Sequence, residues 1–227
     1  MSSMEELREA IVRLDPAHRA TLMAWLESLD FSLDEVREPA AAYQVTPQPI
    51  SVDEYLSLEE TATVRHEYVA GQIFAMTGTT LRHNVIIQNL VLALSPRLAG
   101  GPCRAFFTDI KVRLKVDRAD IFYYPDLLVA CGKLDLDAVY LSEPKVVVEV
   151  LSSSTEAIDR REKALNYRQA ESLEEYVLIA QRAPEVTIYR RRDGWSGHRA
   201  TNISQAVEFE SVKEALALTE IYRGVFA

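Results

Sequence analysis

Glu149 sits where a carboxylate is expensive. Val146, Val147, Val148, Val150 and Leu151 flank it, a run with the length and side-chain branching of a buried strand. A charge buried there without a partner costs free energy steeply. Three arrangements tolerate it: an ion pair, a strand end facing solvent, or a bound metal. Asp126 shifts the balance among them. It follows Pro125 between two further apolar stretches, Ile121 to Tyr124 and Leu127 to Ala130, and proline in that position points to a strand edge or bulge. Taken alone, Asp126 is an acid at a strand irregularity. Taken together, two carboxylates on successive apolar strands are able to converge on one divalent cation. Hard cations such as Mg²⁺ take oxygen ligands, commonly one or two carboxylates with waters and substrate phosphate. Such a centre activates water and stabilises charge during displacement at phosphorus.

The elements that must position these acids follow from patterning. Ser51 and Glu54 have capping-box spacing and open a short helix through Leu58. Glu67-Tyr68-Val69 and Gln72-Ile73-Phe74 flank Ala70-Gly71, which predicts a tight hairpin. Val85 to Leu98 reads as an amphipathic helix. Cys103 to Val116 and Ile121 to Ala130 read as two strands, and Lys145 to Leu151 as a third. A helix from Ala157 to Ala170, capped by Ser154 or Thr155, leads to strands at Tyr176–Ala180 and Val186–Arg190. Val212 to Leu216 is expected to begin a short final helix. Strand, helix, strand around Glu149 is a βαβ unit, so part of the sheet should be parallel. The expected fold class is α/β, a mixed sheet flanked by helices. Ahead of it, residues 4–30 carry two helical apolar stripes, and Pro39 to Pro49 reads as a linker. The chain therefore divides into a helical extension with linker over residues 1–45 and a main domain over 46–227.

Several short motifs lie along the main domain: Ser51-Val52-Asp53-Glu54-Tyr55-Leu56, Arg65-His66-Glu67-Tyr68-Val69-Ala70-Gly71-Gln72-Ile73, His83-Asn84, and Thr108-Asp109-Ile110-Lys111-Val112. Tyr124-Pro125-Asp126, Val148-Glu149-Val150-Leu151-Ser152, Asp159-Arg160-Arg161-Glu162-Lys163, Tyr167 and Glu175-Tyr176 complete the set. In this order and spacing, over roughly residues 50–195, the chain resembles the Uma2 family of restriction-endonuclease-like proteins, within the PD-(D/E)-x-K nuclease superfamily. The resemblance implies a nuclease core in which Asp126, Glu149 and the Val150 carbonyl hold Mg²⁺ or Mn²⁺. Glu67 or Asp109 would add a further carboxylate. The implied reaction is endonucleolytic hydrolysis of nucleic acid, DNA before RNA, leaving a 5′-phosphate. One position departs from the broad nuclease motif: Leu151 stands two residues after Glu149, where a lysine is expected. Lys163 is the natural replacement, since Asp159, Lys163 and Tyr167 share a face of the helix that leaves the Glu149 strand. The same spacing describes an Asp–Lys pair on a solvated face, worth about a few tenths of a kcal/mol. His83, near a helix start, reads as a cap, a core residue or a supporting ligand. Lys111 and Arg113 read as phosphate contacts or as an ordinary solvent face.

The net charge of −9 over 227 residues is awkward for a nuclease, because phosphate neutralisation drives most nucleic-acid affinity. Residues 1–60 hold thirteen Asp and Glu against four Arg, while the remaining 21 acids and 21 bases cancel. The body is thus neutral. No Walker loop or Gly-x-Gly-x-x-Gly offers a nucleotide cradle. Ser152-Ser153-Ser154 lacks the glycines of a nucleophile elbow, and the four histidines show no zinc spacing. Cys103 and Cys131, far apart and outside any Cys-x-x-Cys, define neither a disulfide framework nor a zinc site and suit a reducing cytosol. With no signal-peptide layout and no bilayer-length apolar run, the expected location is cytoplasmic, with no membrane partner. The expected partners are nucleic acid and a second copy of the chain in a homodimer. The rival reading is a nuclease fold that binds nucleic acid or a protein partner without cutting.

Overall fold

The Ser51 hydroxyl accepts the Glu54 amide, and the Glu54 carboxylate accepts the Ser51 N–H, so the expected capping box opens helix α1 (Val52–Thr61). The computed structural model describes residues 49–152 and 156–226. The expected N-terminal helices and linker, and the Ser154 or Thr155 cap, lie outside the described residues. Strands β1 (His66–Val69) and β2 (Gln72–Ala75) form the expected hairpin, with Val69 opposite Gln72. Its two-residue turn places Ala70 at φ 50° and Gly71 at φ 96°, the pair of positive angles that matches strand twist. A Cβ at Gly71 would meet Pro49 Cβ at 2.8 Å, so close approach requires glycine there as well. Helix α2 (Leu81–Leu98) starts four residues earlier than expected because the Thr80 hydroxyl accepts the His83 amide.

The two strands expected after α2 each divide. Cys103–Phe107 (β3) and Lys111–Val116 (β4) are separated by Thr108 and Asp109, both in the left-handed region at φ 52° and 60°. Ala119–Tyr123 (β5) and Leu127–Cys131 (β6) are separated around Pro125, which has no N–H to give a ladder. The breaks send the chain between sheets. One sheet runs β2-β1-β5-β4-β7, with β7 at Tyr140–Leu141. The other runs β11-β10-β9-β8-β6-β3, with β8 (Val146–Leu151), β9 (Glu175–Ala180), β10 (Val186–Arg190) and β11 (Gly197–Ala200). β8 pairs parallel with β9 and antiparallel with β6, so the βαβ expectation holds in a mixed sheet.

β8 is buried along its whole length. Alternation sends Val146, Val148 and Val150 into a core shared with Ile86, Leu90 and Leu94 of α2. Val147 and Leu151 enter a second core with Tyr167 and Tyr176. Glu149 shares this second face by the same alternation. The crossover helix is not uniform: α3 (Glu156–Ile158) passes into a π-turn over Asp159–Lys163 and then α4 (Ala164–Gln169). Such insertions occur mostly as single turns, often at functional sites.

Two expectations are corrected. The segment from Val212 does not begin a helix. Lys213 takes φ 60°, and β13 (Glu214–Ala217) pairs with β12 (Ala206–Phe209), burying Val207, Phe209 and Leu216; helix α5 (Leu218–Ile221) comes after. Nor are the cysteines unlinked. The β3–β6 register sets Cys103 directly opposite Cys131, and the two form a disulfide across 28 residues of chain. Closing a loop of that length removes unfolded-state freedom worth about 3–4 kcal/mol. Cys103→Ser/Cys131→Ser is therefore expected to lower the urea midpoint markedly, and reductant should do the same to wild type only. Equal midpoints for oxidised wild type and the double variant would refute the linkage. Among the described residues, no helix is long and apolar enough to cross a membrane.

Candidate metal centre

Strand pairing brings the two acids of the first reading together. With Leu127 of β6 opposite Val148 of β8, Asp126 reaches the next residues along: the Val150 amide donates to Asp126 Oδ2 at 2.7 Å. The Asp126 amide faces Glu149 Oε2 at 3.4 Å. His83, in the first turn of α2, places Nε2 3.1 Å from the same Asp126 Oδ2. Oδ2 is thus engaged twice, while Oδ1 takes no donor among the described residues. His83 Nδ1 is buried without a hydrogen-bond partner among them.

Lys163 joins the acids from the π-turn. Its Nζ lies 2.7 Å from Glu67 Oε1, 3.4 Å from Asp159 Oδ1 and 3.5 Å from Glu149 Oε1, and 5.2 Å from the centre of the Tyr123 ring. Tyr167 donates its hydroxyl to Glu149 Oε1 at 3.4 Å, and Tyr176 donates to the Asp159 carbonyl at 2.9 Å, tying the π-turn to β9. Glu67, Glu149, Asp159 and Lys163 are all at most 5 % exposed. Burial excludes the solvated-face reading of Lys163 and places Glu67 inside the cluster, away from the surface of its hairpin. The structure brings together Asp126, Glu149, Lys163, Glu67, Asp159, Tyr167 and His83. It leaves Asp109 at the rim, 59 % exposed and paired with Arg65 at 3.4 Å. Arg113 is spent on Asp120 and Tyr140.

Three carboxylates share one lysine and Asp126 adds a fourth beside them, so the cluster has an excess of negative charge. Burial pushes Glu149 well above the ordinary carboxylate range; Lys163 opposes the rise, and Asp159, Asp126 and Glu67 add to it. Burial likewise raises Glu67 despite its contact with Lys163. Burial alone would lower Lys163, but Glu149, Glu67 and Asp159 outweigh it and hold the ammonium well above its usual value. The metal-free cluster therefore keeps its lysine charged and favours a proton on a carboxylate.

The cluster opens into a cleft of about 290 Å³, whose lining includes Met76, Thr79, Asp109, Tyr124, Asp126 and Lys163. Behind it lies a residue that sequence reasoning missed. Glu59, at the end of α1, is buried and accepts the Tyr124 hydroxyl on one oxygen and the His66 amide on the other. It clamps the residue two before Asp126. Nothing local distinguishes it from a helix-end surface acid, since its key partner lies 65 residues away. Tyr124→Phe leaves a buried carboxylate oxygen short of a donor and is expected to cost about 1–3 kcal/mol. Urea denaturation checks this, and an unchanged midpoint would remove the clamp.

The donors suit a hard cation. Asp126 offers a free oxygen beside Glu149, and hard oxygen donors with few protein ligands are what Mg²⁺ accepts. Among the described residues, no three His, Cys, Asp or Glu side chains are grouped to chelate an ion unaided, so carbonyl and water would complete the coordination.

A mixed sheet carrying Glu149 within β8 and Asp126 just ahead of β6, backed by a helix-borne lysine, defines a restriction-endonuclease-like fold. Residues 52–222 match the Uma2 family model, described as "Putative restriction endonuclease", and the chain belongs to that family. It is 34 % identical over 181 residues to the Synechocystis protein slr1290, covering 78 % of this chain and 93 % of that one. A second Synechocystis protein, sll1609, is 30 % identical over 149 residues, covering 64 % and 83 %. The crystal structure of "a putative nuclease belonging to DUF820" from Anabaena variabilis superimposes with TM-score 0.62 at 19 % identity, covering 78 % of this chain and all of that one. At that identity the likeness is one of fold.

Proposed function

We propose that the protein is a divalent-metal-dependent endonuclease that hydrolyses phosphodiester bonds in nucleic acid, DNA before RNA. The observation that carries this reading is the convergence of three carboxylates on one buried lysine, with a fourth, Asp126, beside Glu149 in the same cleft. Structural ion pairs balance their charges; this cluster stays anionic until a cation or protons arrive. Asp126, Glu149 and the Val150 carbonyl would hold Mg²⁺ or Mn²⁺. The bound ion would supply positive charge at the phosphorus and a competent nucleophile at neutral pH. The remaining work falls to side chains. His83 and the Val150 amide fix Asp126 Oδ2, so that Oδ1 is presented to the ion. The Tyr167 hydroxyl holds Glu149 through Oε1, leaving Oε2, beside the Asp126 amide, on the side of Asp126. Lys163, kept charged by Glu67 and Asp159, donates to the attacking water or to a non-bridging phosphoryl oxygen as charge develops. Its position on the π-turn replaces the lysine that Leu151 displaces.

One observation favours the rival reading of a binder without cleavage: the nearest partner of Lys163 is Glu67, at 2.7 Å, which competes with any substrate oxygen. Metal titration separates the two. With Mg²⁺ or Mn²⁺, the melting temperature of wild type should rise saturably and return with EDTA, by ordinary binding linkage, and Asp126→Asn should not respond. A flat response in wild type would favour the non-cleaving binder.

A further inference from the structure

A second hollow of about 580 Å³ adjoins the carboxylate cleft. Ser152 lines both, and the chain passes from one to the other at Thr79–Thr80 and Val150–Leu151. Its floor is tied together. The Thr80 hydroxyl donates to Gln181 Oε1 at 2.9 Å, and Gln181 Nε2 donates to the Leu151 carbonyl at 2.8 Å. The start of α2, the end of β8 and the turn after β9 are therefore held in one arrangement.

Two guanidinium groups line this groove, Arg82 from the first turn of α2 and Arg182 from the turn after β9. Both are exposed, and neither has an ion pair or hydrogen bond among the described residues. The nearby acids are engaged elsewhere. Glu156, which also lines the groove, is held by Arg160 at 2.8 Å, and Glu185 by Arg199 at 2.7 Å. The groove thus offers two uncommitted cations next to a cleft that is itself anionic.

We propose that this groove binds the sugar–phosphate backbone of a nucleic-acid strand next to the bond held over Asp126 and Glu149, with Arg82 and Arg182 on successive phosphates. The inference rests on the nuclease reading and deepens it. A polyanion approaching four carboxylates is repelled wherever the metal does not compensate, and the rest of the chain beyond residue 60 is electrically neutral. Affinity must come from cations that flank the cleft. Guanidinium forks match phosphate oxygens in geometry as well as charge. The lining shared at Ser152 makes the two hollows neighbours, so one strand held over Asp126 and Glu149 extends into the groove.

The test measures binding of fluorescent single- and double-stranded DNA and RNA oligonucleotides across a salt series in Ca²⁺, and steady-state cleavage in Mg²⁺. Wild type is compared with Arg82→Ala/Arg182→Ala and with the charge-keeping Arg82→Lys/Arg182→Lys. The alanine pair should bind at least about tenfold more weakly at low salt, with the loss falling on KM more than on kcat. Its salt dependence should be shallower by about two phosphate contacts, near 0.7–0.9 each in log–log slope. The lysine pair should keep the wild-type slope. Wild-type affinity and slope in the alanine pair overturn the groove, and if Asp126→Asn is then still inactive, the nuclease reading stands alone. A wild-type protein that binds no nucleic acid overturns both.

Discussion

Asp126→Asn and Glu149→Gln are each expected to reduce metal-dependent cleavage by about 10³-fold or more, because the ion they hold contributes several kcal/mol at the transition state. Both substitutions keep shape. The asparagine carbonyl can still accept the Val150 amide, and the glutamine can still accept the Tyr167 hydroxyl. Stability should move in the opposite direction from activity. In metal-free protein the Glu149 pKa is raised above 4.5, chiefly by burial. A carboxylate raised in the folded state contributes stability that is complete below its unfolded pKa and is lost as pH climbs through the folded one. Glu149→Gln is neutral at every pH and escapes that loss. In EDTA its melting temperature should match wild type near pH 4.5 and exceed it increasingly toward neutrality. With saturating Mg²⁺ the order should narrow or reverse, since only wild type gains from the ion. A Glu149→Gln protein that cuts like wild type, or melts lower at neutral pH in EDTA, contradicts the assignment.

Lys163→Met should lower turnover by about 10²-fold or more, the usual loss when one transition-state donor is removed. This variant carries a structural cost as well. Lys163 is the only cation in direct contact with Glu67, Glu149 and Asp159 among the described residues, and breaking a buried pair on one side costs on the order of 3–5 kcal/mol. A fall in activity could then reflect unfolding alone. Lys163→Met/Glu67→Gln removes the nearest stranded charge and should recover part of the stability without recovering turnover. Recovery of both in the double variant would make Lys163 a structural counter-ion and nothing more.

What the sequence shows and hides follows from the range of the interactions. β8 is legible because both its faces are buried, so it reads as a continuous apolar run with one anomaly, Glu149. The β1–β2 hairpin and the α1 capping box are legible because their signals span a few residues. Partnerships across sheets are not. Cys103 meets Cys131 only through the β3–β6 register, and that register exists only because the chain changes sheet at Thr108–Asp109 and again at Pro125. Read as continuous strands, these segments give no reason for the sulfurs to meet. Glu67 and Tyr68 point to opposite faces of β1 and both are buried, so no alternation marks Glu67; its partner Lys163 lies far along the chain. The segment Val212–Leu216 is too short for its period to distinguish helix from strand. The π-turn has no local signature, yet its residues Asp159 and Lys163 both enter the site. Family resemblance reached Lys163 where patterning alone left it on a solvated face.

The most direct measurement strips wild-type protein of metal and incubates it with single- and double-stranded DNA and RNA in EDTA, Mg²⁺, Mn²⁺ or Ca²⁺. The account predicts no cleavage in EDTA, cleavage of at least one substrate in Mg²⁺ or Mn²⁺, and products bearing a 5′-phosphate. Cleavage in EDTA, or no cleavage of any substrate at ion concentrations shown to bind, would contradict it.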